Sequence, residues 1–176
     1  KILELMYCLH NETQKLRDNN PEFQSRFYTI LGNHDEMMLD AHQIFSFLDM
    51  AEVKKFLGSM GPHGMQVKQA IQHLGLSPNQ VEKVLKFLNW YVQGGQATIE
   101  GYEGLEGWRT SMDTEMGDFL RQHLRLGVVV NHRLFAHTVP DYREFWRPIE
   151  EIVGLPDSSY RRAKEAFLWS RKVWGY

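Results

Sequence analysis

The chain has 176 residues, one cysteine and a formal net charge of −2. That length suits one domain with a sizeable core, and the near-neutral balance carries no electrostatic footprint for nucleic acid. A single Cys8 excludes an internal disulfide framework and a Cys-based zinc site. No apolar run reaches the ~20 residues that a membrane span needs.

Ile2, Leu5, Met6 and Leu9 recur at helical spacing and Leu16 extends the face, so the chain is expected to open with a helix. Cys8 falls inside that pattern and reads as a small core residue. "RDNNPEF" breaks the helix at Pro21. Residues 27–33 are rich in aromatic and β-branched types and predict a buried strand with a loop at its carboxyl end. Helical patterns follow over about 37–57, through Ile44, Phe45, Leu48, Val53, Phe56 and Leu57, until "GSMGPHG" interrupts them. Val67, Ala70, Ile71 and Leu74 predict another helix.

"SPNQ" is a start signal. Ser77 can cap, Pro78 suits a first turn and Gln80 can reach back. Val81, Val84, Leu85 and Leu88 then line one face, and Gly94 and Gly95 stop it. "QATIEGYEGLEGW" reads as a short strand around 97–99 followed by a loop. A helix is expected over about 113–124. "LGVVVNHRLFAHT" predicts two strands, 127–130 and 133–138, joined by a tight turn at Asn131 and His132. Two helices close the chain, near 140–152 and 159–169, separated by "GLPDSS". Strand, long helical excursion and further strands together predict an α/β core carrying a helical insert.

Three places offer chemistry. Asn33, His34 and Asp35 follow a strand, where open α/β sheets place ligands. Asn supplies a carbonyl oxygen, and imidazole binds metal or moves a proton. The same residues also make an ordinary polar turn. His137 ends an apolar run and reads as a site histidine or as one satisfied by backbone at a strand end. Arg171 in "LWSR" offers a fork suited to phosphate, or it is a surface residue on a helix with Arg161, Arg162 and Lys164.

In order, these segments resemble the phosphoprotein phosphatase branch of the calcineurin-like metallophosphoesterases. "LGNHDEMM" is similar to the strand-ending Gly-Asn-His-Asp of the bacteriophage lambda and Shewanella-like phosphatases. "NHRLFAHTVP" matches the family's Asn-Asp-x-Leu-Phe-Val-His-Gly-Gly at Asn131, Leu134, Phe135 and His137. "LWSR" matches its Leu-Trp-x-Arg at Leu168, Trp169 and Arg171. "KILELM" resembles the helix after the family's Gly-Asp-x-x-Asp-Arg-Gly. The matched parts cover residues 1–39 and about 117–175.

The resemblance implies an α/β fold, a portion of a calcineurin-like β-sandwich flanked by helices. Residues 1–176 would be part of one catalytic domain with a large helical insert or cap over about 40–112. That insert is similar in scale to those of the Legionella Wip-type effector phosphatases, which implies a bacterial effector and a protein partner on the insert. The implied activity is hydrolysis of phosphate monoesters on a phosphorylated protein substrate, at Ser/Thr or Tyr, with two divalent metal ions (Mn, Fe or Zn) activating a hydroxide.

In that scheme Asn33 binds metal and touches the phosphate, and His137 binds the same metal. His34 protonates the leaving oxygen. Asp35 supports this catalytic loop rather than binding metal, and Arg171 holds the phosphate. Thr138 and Val139 stand where the family has Gly-Gly, and His132 stands where it has Asp and reads as a turn residue. The family's first Asp-x-His and its Gly-Asp-x-x-Asp-Arg-Gly are expected upstream of Lys1, and its last metal histidine downstream of Tyr176. Rival expectations are hydrolysis of diadenosine tetraphosphate or another small phosphoester, and a non-catalytic helical module that binds partners on a degenerate phosphatase core.

Overall fold

The computed structural model describes residues 2–58, 71–72, 74–131, 133–138, 164–165 and 167–169. The expected helix at 140–152, most of the one through Val67 and Ala70, His132 and Arg171 lie outside the described residues. The chain divides into two compact units, one of residues 1–35 and 119–176 and the other of Glu36–Asp118.

The expected α/β sandwich is not what forms. Helix makes up 70% of the described residues and strand 9%. A sandwich needs two multi-stranded sheets packed face to face. Here β1 (Thr29–Ile30) pairs in parallel with β2 (Leu124–Arg125), and β3 (Gly127–Val130) pairs antiparallel with β4 (Arg133–Ala136). Each is a two-stranded sheet. The hairpin leaves Val129, Val130, Leu134 and Phe135 exposed, so among the described residues no second sheet covers it. Within the run 27–33 only Thr29 and Ile30 form strand, and Asn33 already belongs to the helix that follows.

In the first unit, α1 (Ile2–Asn19) buries none of its residues, and Cys8 is exposed rather than core. The face that packs carries Tyr7 and His10, not the Ile2, Leu5, Leu9 stripe. Tyr7 and His10 lie 5.7 and 4.9 Å, ring to ring, from Phe119. The helix ends in an Asx turn, where the Asn20 side chain accepts from the Glu22 N–H just past Pro21. Thr29 is buried and donates its hydroxyl to the His123 carbonyl, tying β1 to the end of the helix that precedes β2. Asn131 takes the left-handed conformation that a tight hairpin turn demands, with φ 48°.

The second unit is helical. Helix α2 (Asn33–His42) enters it and passes through a 3₁₀ turn (Gln43–Ser46) to α3 (Met50–Gly58). Asp49 and Glu52 cap the start of α3 reciprocally. Helix α4 (Pro78–Trp90) begins with the capping box expected from "SPNQ": Ser77 accepts from the Gln80 N–H and Gln80 accepts from the Ser77 N–H. The chain bends through Tyr91–Gly95, where Gly94 has φ +117°. Gly95 lies against Trp90 so closely that a Cβ would come within 2.6 Å of the indole ring.

Two expectations fail just beyond this bend. Residues 97–99 are not a strand but part of α5 (Gln96–Gly101), and the expected loop holds α6 (Leu105–Met112). Leu105, Trp108 and Met112 are all buried and lie at helical spacing, which the intervening glycines obscure. Trp108 is fully buried and stacks on Trp90 at 4.6 Å, with Phe87, Phe45 and His42 around it. His42 Nε2 lies 3.1 Å from an Asp113 carboxylate oxygen. Burial is the largest single influence on Lys86 and lowers its pKa, but the hydrogen bonds and charges of Asp40 and Glu82 together outweigh it and raise the pKa. Helix α7 (Glu115–His123) leads back to β2.

Candidate functional site

Leu31 and Gly32 lead from β1 into α2. The Leu31 N–H donates to the Arg125 carbonyl at 2.8 Å, which extends the β1–β2 ladder by one bond. Gly32 is the cap residue of α2. Its N–H donates to Asp35 Oδ2 at 2.9 Å, the return half of a capping box. An acidic side chain in a first helical turn also complements the helix dipole. The visible work of Asp35 is therefore to fix the loop and start the helix.

Asn33, the first residue of α2, holds its side-chain oxygen at the loop surface, where the His34 N–H donates to it at 3.0 Å. From 104 positions away in sequence, His137 Nε2 comes to 3.0 Å from the same oxygen. The β3–β4 register places Ala136 opposite Gly127 and delivers His137 just past the ladder. Gly32 permits the approach. A Cβ there would stand 3.0 Å from Asp35 Oδ2 and 3.4 Å from the His137 ring. Ile30, residues 32–35, Ala136 and His137 together line an open cleft of about 400 Å³. His34 and His137 are exposed, and Asn33 and Asp35 half-buried.

Of the five residues expected at a site, the structure brings Asn33, His34, Asp35 and His137 together. Arg171 lies outside the described residues, although Leu168 just before it is buried and Trp169 is exposed. A metal held at about 2.1 Å from an oxygen and a nitrogen, with a right angle between them, sets those two atoms about 3.0 Å apart. Asn33 Oδ1 and His137 Nε2 have that separation, and without a metal it is the length of the hydrogen bond they make with each other. This fit covers one edge of a coordination shell. Among the described residues no group of three or more His, Cys, Asp or Glu side chains is placed to hold a metal.

A second cleft in the same unit was not anticipated from the sequence. Arg17, Arg26 and Arg125 line it with His10 and His123. Its residues come from three separate segments, and no local motif announces it. No protein-family model, curated protein or solved structure matches the chain.

Proposed function

We propose that the cleft at Asn33 and His137 is part of a metal-dependent phosphatase centre acting on phosphate monoesters of a phosphorylated protein. The observation that carries this reading is the 3.0 Å approach of Asn33 Oδ1 and His137 Nε2, 104 positions apart in sequence, beside an exposed His34. The reading rests on this local site and on the resemblance of its motifs, not on the fold. Bound divalent metal (Mn, Fe or Zn) would supply Lewis-acid polarisation of the phosphoryl oxygens.

The chain's own residues divide the remaining work. Asn33 and His137 present an oxygen and a nitrogen along one edge. His34, exposed and next in sequence, donates a proton to the departing oxygen; imidazole suits that role near neutral pH. Asp35 holds the Gly32 amide and with it the loop that carries both neighbours. Arg171 would bind the phosphate. In the same reading, the helical insert over about 40–112 offers a surface for a protein partner.

Manganese-dependent hydrolysis of p-nitrophenyl phosphate tests the reading, with His34→Ala alongside. The variant is expected to lose about 10²–10⁴ in kcat, the usual share of a general acid. Undiminished turnover would remove His34 from that role, and no metal-dependent turnover in the parent would sink the enzyme reading. Parallel turnover of a phosphopeptide and of diadenosine tetraphosphate ranks the substrates.

A further inference from the structure

The second cleft lies where the chain enters β1. It encloses about 470 Å³, within the range of small-ligand pockets. One wall is a single face of α1, since His10, Thr13, Gln14 and Arg17 follow the i, i+3, i+4, i+7 spacing that aligns side chains on a helix. The residues leading into β1 form a second wall, with Arg26 and Tyr28. His123 and Arg125 form the third.

Its charge is the informative feature. The chain as a whole carries −2, yet this cleft gathers three guanidinium groups and no Asp or Glu among its lining residues. Some cations outside the cleft find carboxylates, as Lys15 does with Glu12 and Lys86 with Asp40, so what sets the cleft apart is the gathering of three arginines in one concavity. The three arginines have no ion-pair partner among the described residues. Arg17 reaches only the Gln14 carboxamide oxygen, at 3.4 Å, and Arg26 only the Tyr28 hydroxyl, at 3.5 Å. The His10 and His123 rings, tilted to each other with centroids 4.3 Å apart, line the same space and add ring nitrogens.

Like charges crowded into one concavity repel, and an anion offsets that repulsion. Guanidinium forks match phosphate oxygens two at a time. The geometry therefore points to a binding site for a small phosphate-bearing anion of pyrophosphate type, held by Arg17, Arg26 and Arg125. The cavity has room for an organic group beside Tyr28 and the imidazole pair. This site does not depend on the reading of Asn33 and His137.

Titration calorimetry of the full chain with pyrophosphate, at constant chloride and without added metal, tests it. Saturable one-site binding is expected. Arg125→Gln and Arg26→Gln should each weaken it about tenfold, the usual scale of a charge-assisted hydrogen bond. Both side chains are exposed, so their removal takes little from packing. The double change Asn33→Ala, His137→Ala should leave pyrophosphate affinity unaltered. Tighter binding of ADP would show that the organic group is contacted, and equal binding that phosphate alone is recognised; both agree with the site. A measurement free of variants is the amide shift pattern on adding pyrophosphate, expected at Arg17, Arg26, Tyr28 and Arg125. No saturable binding, or shifts and affinity losses centred on Asn33–Asp35 instead, would overturn the proposal.

Discussion

In one unit of the chain Trp90 and Trp108 lie face to face at 4.6 Å, out of reach of water; in the other, Asn33 and His137 meet at 3.0 Å on an open surface. The helical unit spends its large side chains on a core. The other leaves apolar residues of α1 and of the β3–β4 hairpin exposed while gathering polar groups into two clefts. The contrast teaches that stability and chemistry are separable here. Damage to the tryptophan core should cost folding energy, whereas damage to the Asn33–His137 pair should cost function with little change in stability.

The largest expected effect is at Trp108. Trp108→Ala removes a fully buried indole and should destabilise the protein by about 3–5 kcal/mol in urea unfolding. Asn33→Ala and His137→Ala, at a partly open site, should stay within about 1 kcal/mol. Comparable losses at both places would break the contrast. Next is Gly95→Ala, where the new methyl group meets the Trp90 ring; overpacking of that kind costs about 1–3 kcal/mol. Tryptophan fluorescence should shift with it.

Ser77→Ala should cost about 1 kcal/mol through loss of the cap on α4, read as a lower urea midpoint with an unchanged slope. The smallest effect is a pH slope at the other unit. Burial, and then the neighbouring His123, lower the pKa of His10 from its ordinary 6.5. The unfolded chain then binds the proton more readily, so the contribution is whole above pH 6.5 and is lost as the pH falls through the lower folded-state value. Thermal melts between pH 7.5 and 5.5 should fall less steeply for His10→Gln than for the parent.

Legibility in the sequence followed the range of the interaction. The Ser77–Gln80 box and the hairpin about Asn131 are local, and local chemistry announces them. Helix α6 was hidden because Gly104 and Gly107 read as a loop, while burial of Leu105, Trp108 and Met112 decided the conformation. The β-sandwich expectation failed because a strand needs a partner as well as a pattern, and the 27–33 run pairs over only two residues. Asn33, His34 and His137 could be nominated by residue type, but their proximity is a property of the fold. The arginine cleft left no trace, since Arg17 and Arg125 share no motif.

The most direct test of the central claim follows the histidine side chains by nitrogen–proton correlation spectra while manganese is added below stoichiometry. The account predicts that His137 and His34 broaden first, and that Asn33→Ala abolishes the selective broadening at His137. Broadening that is uniform, or that begins at His10 and His123, would contradict a metal-holding edge at Asn33 and His137.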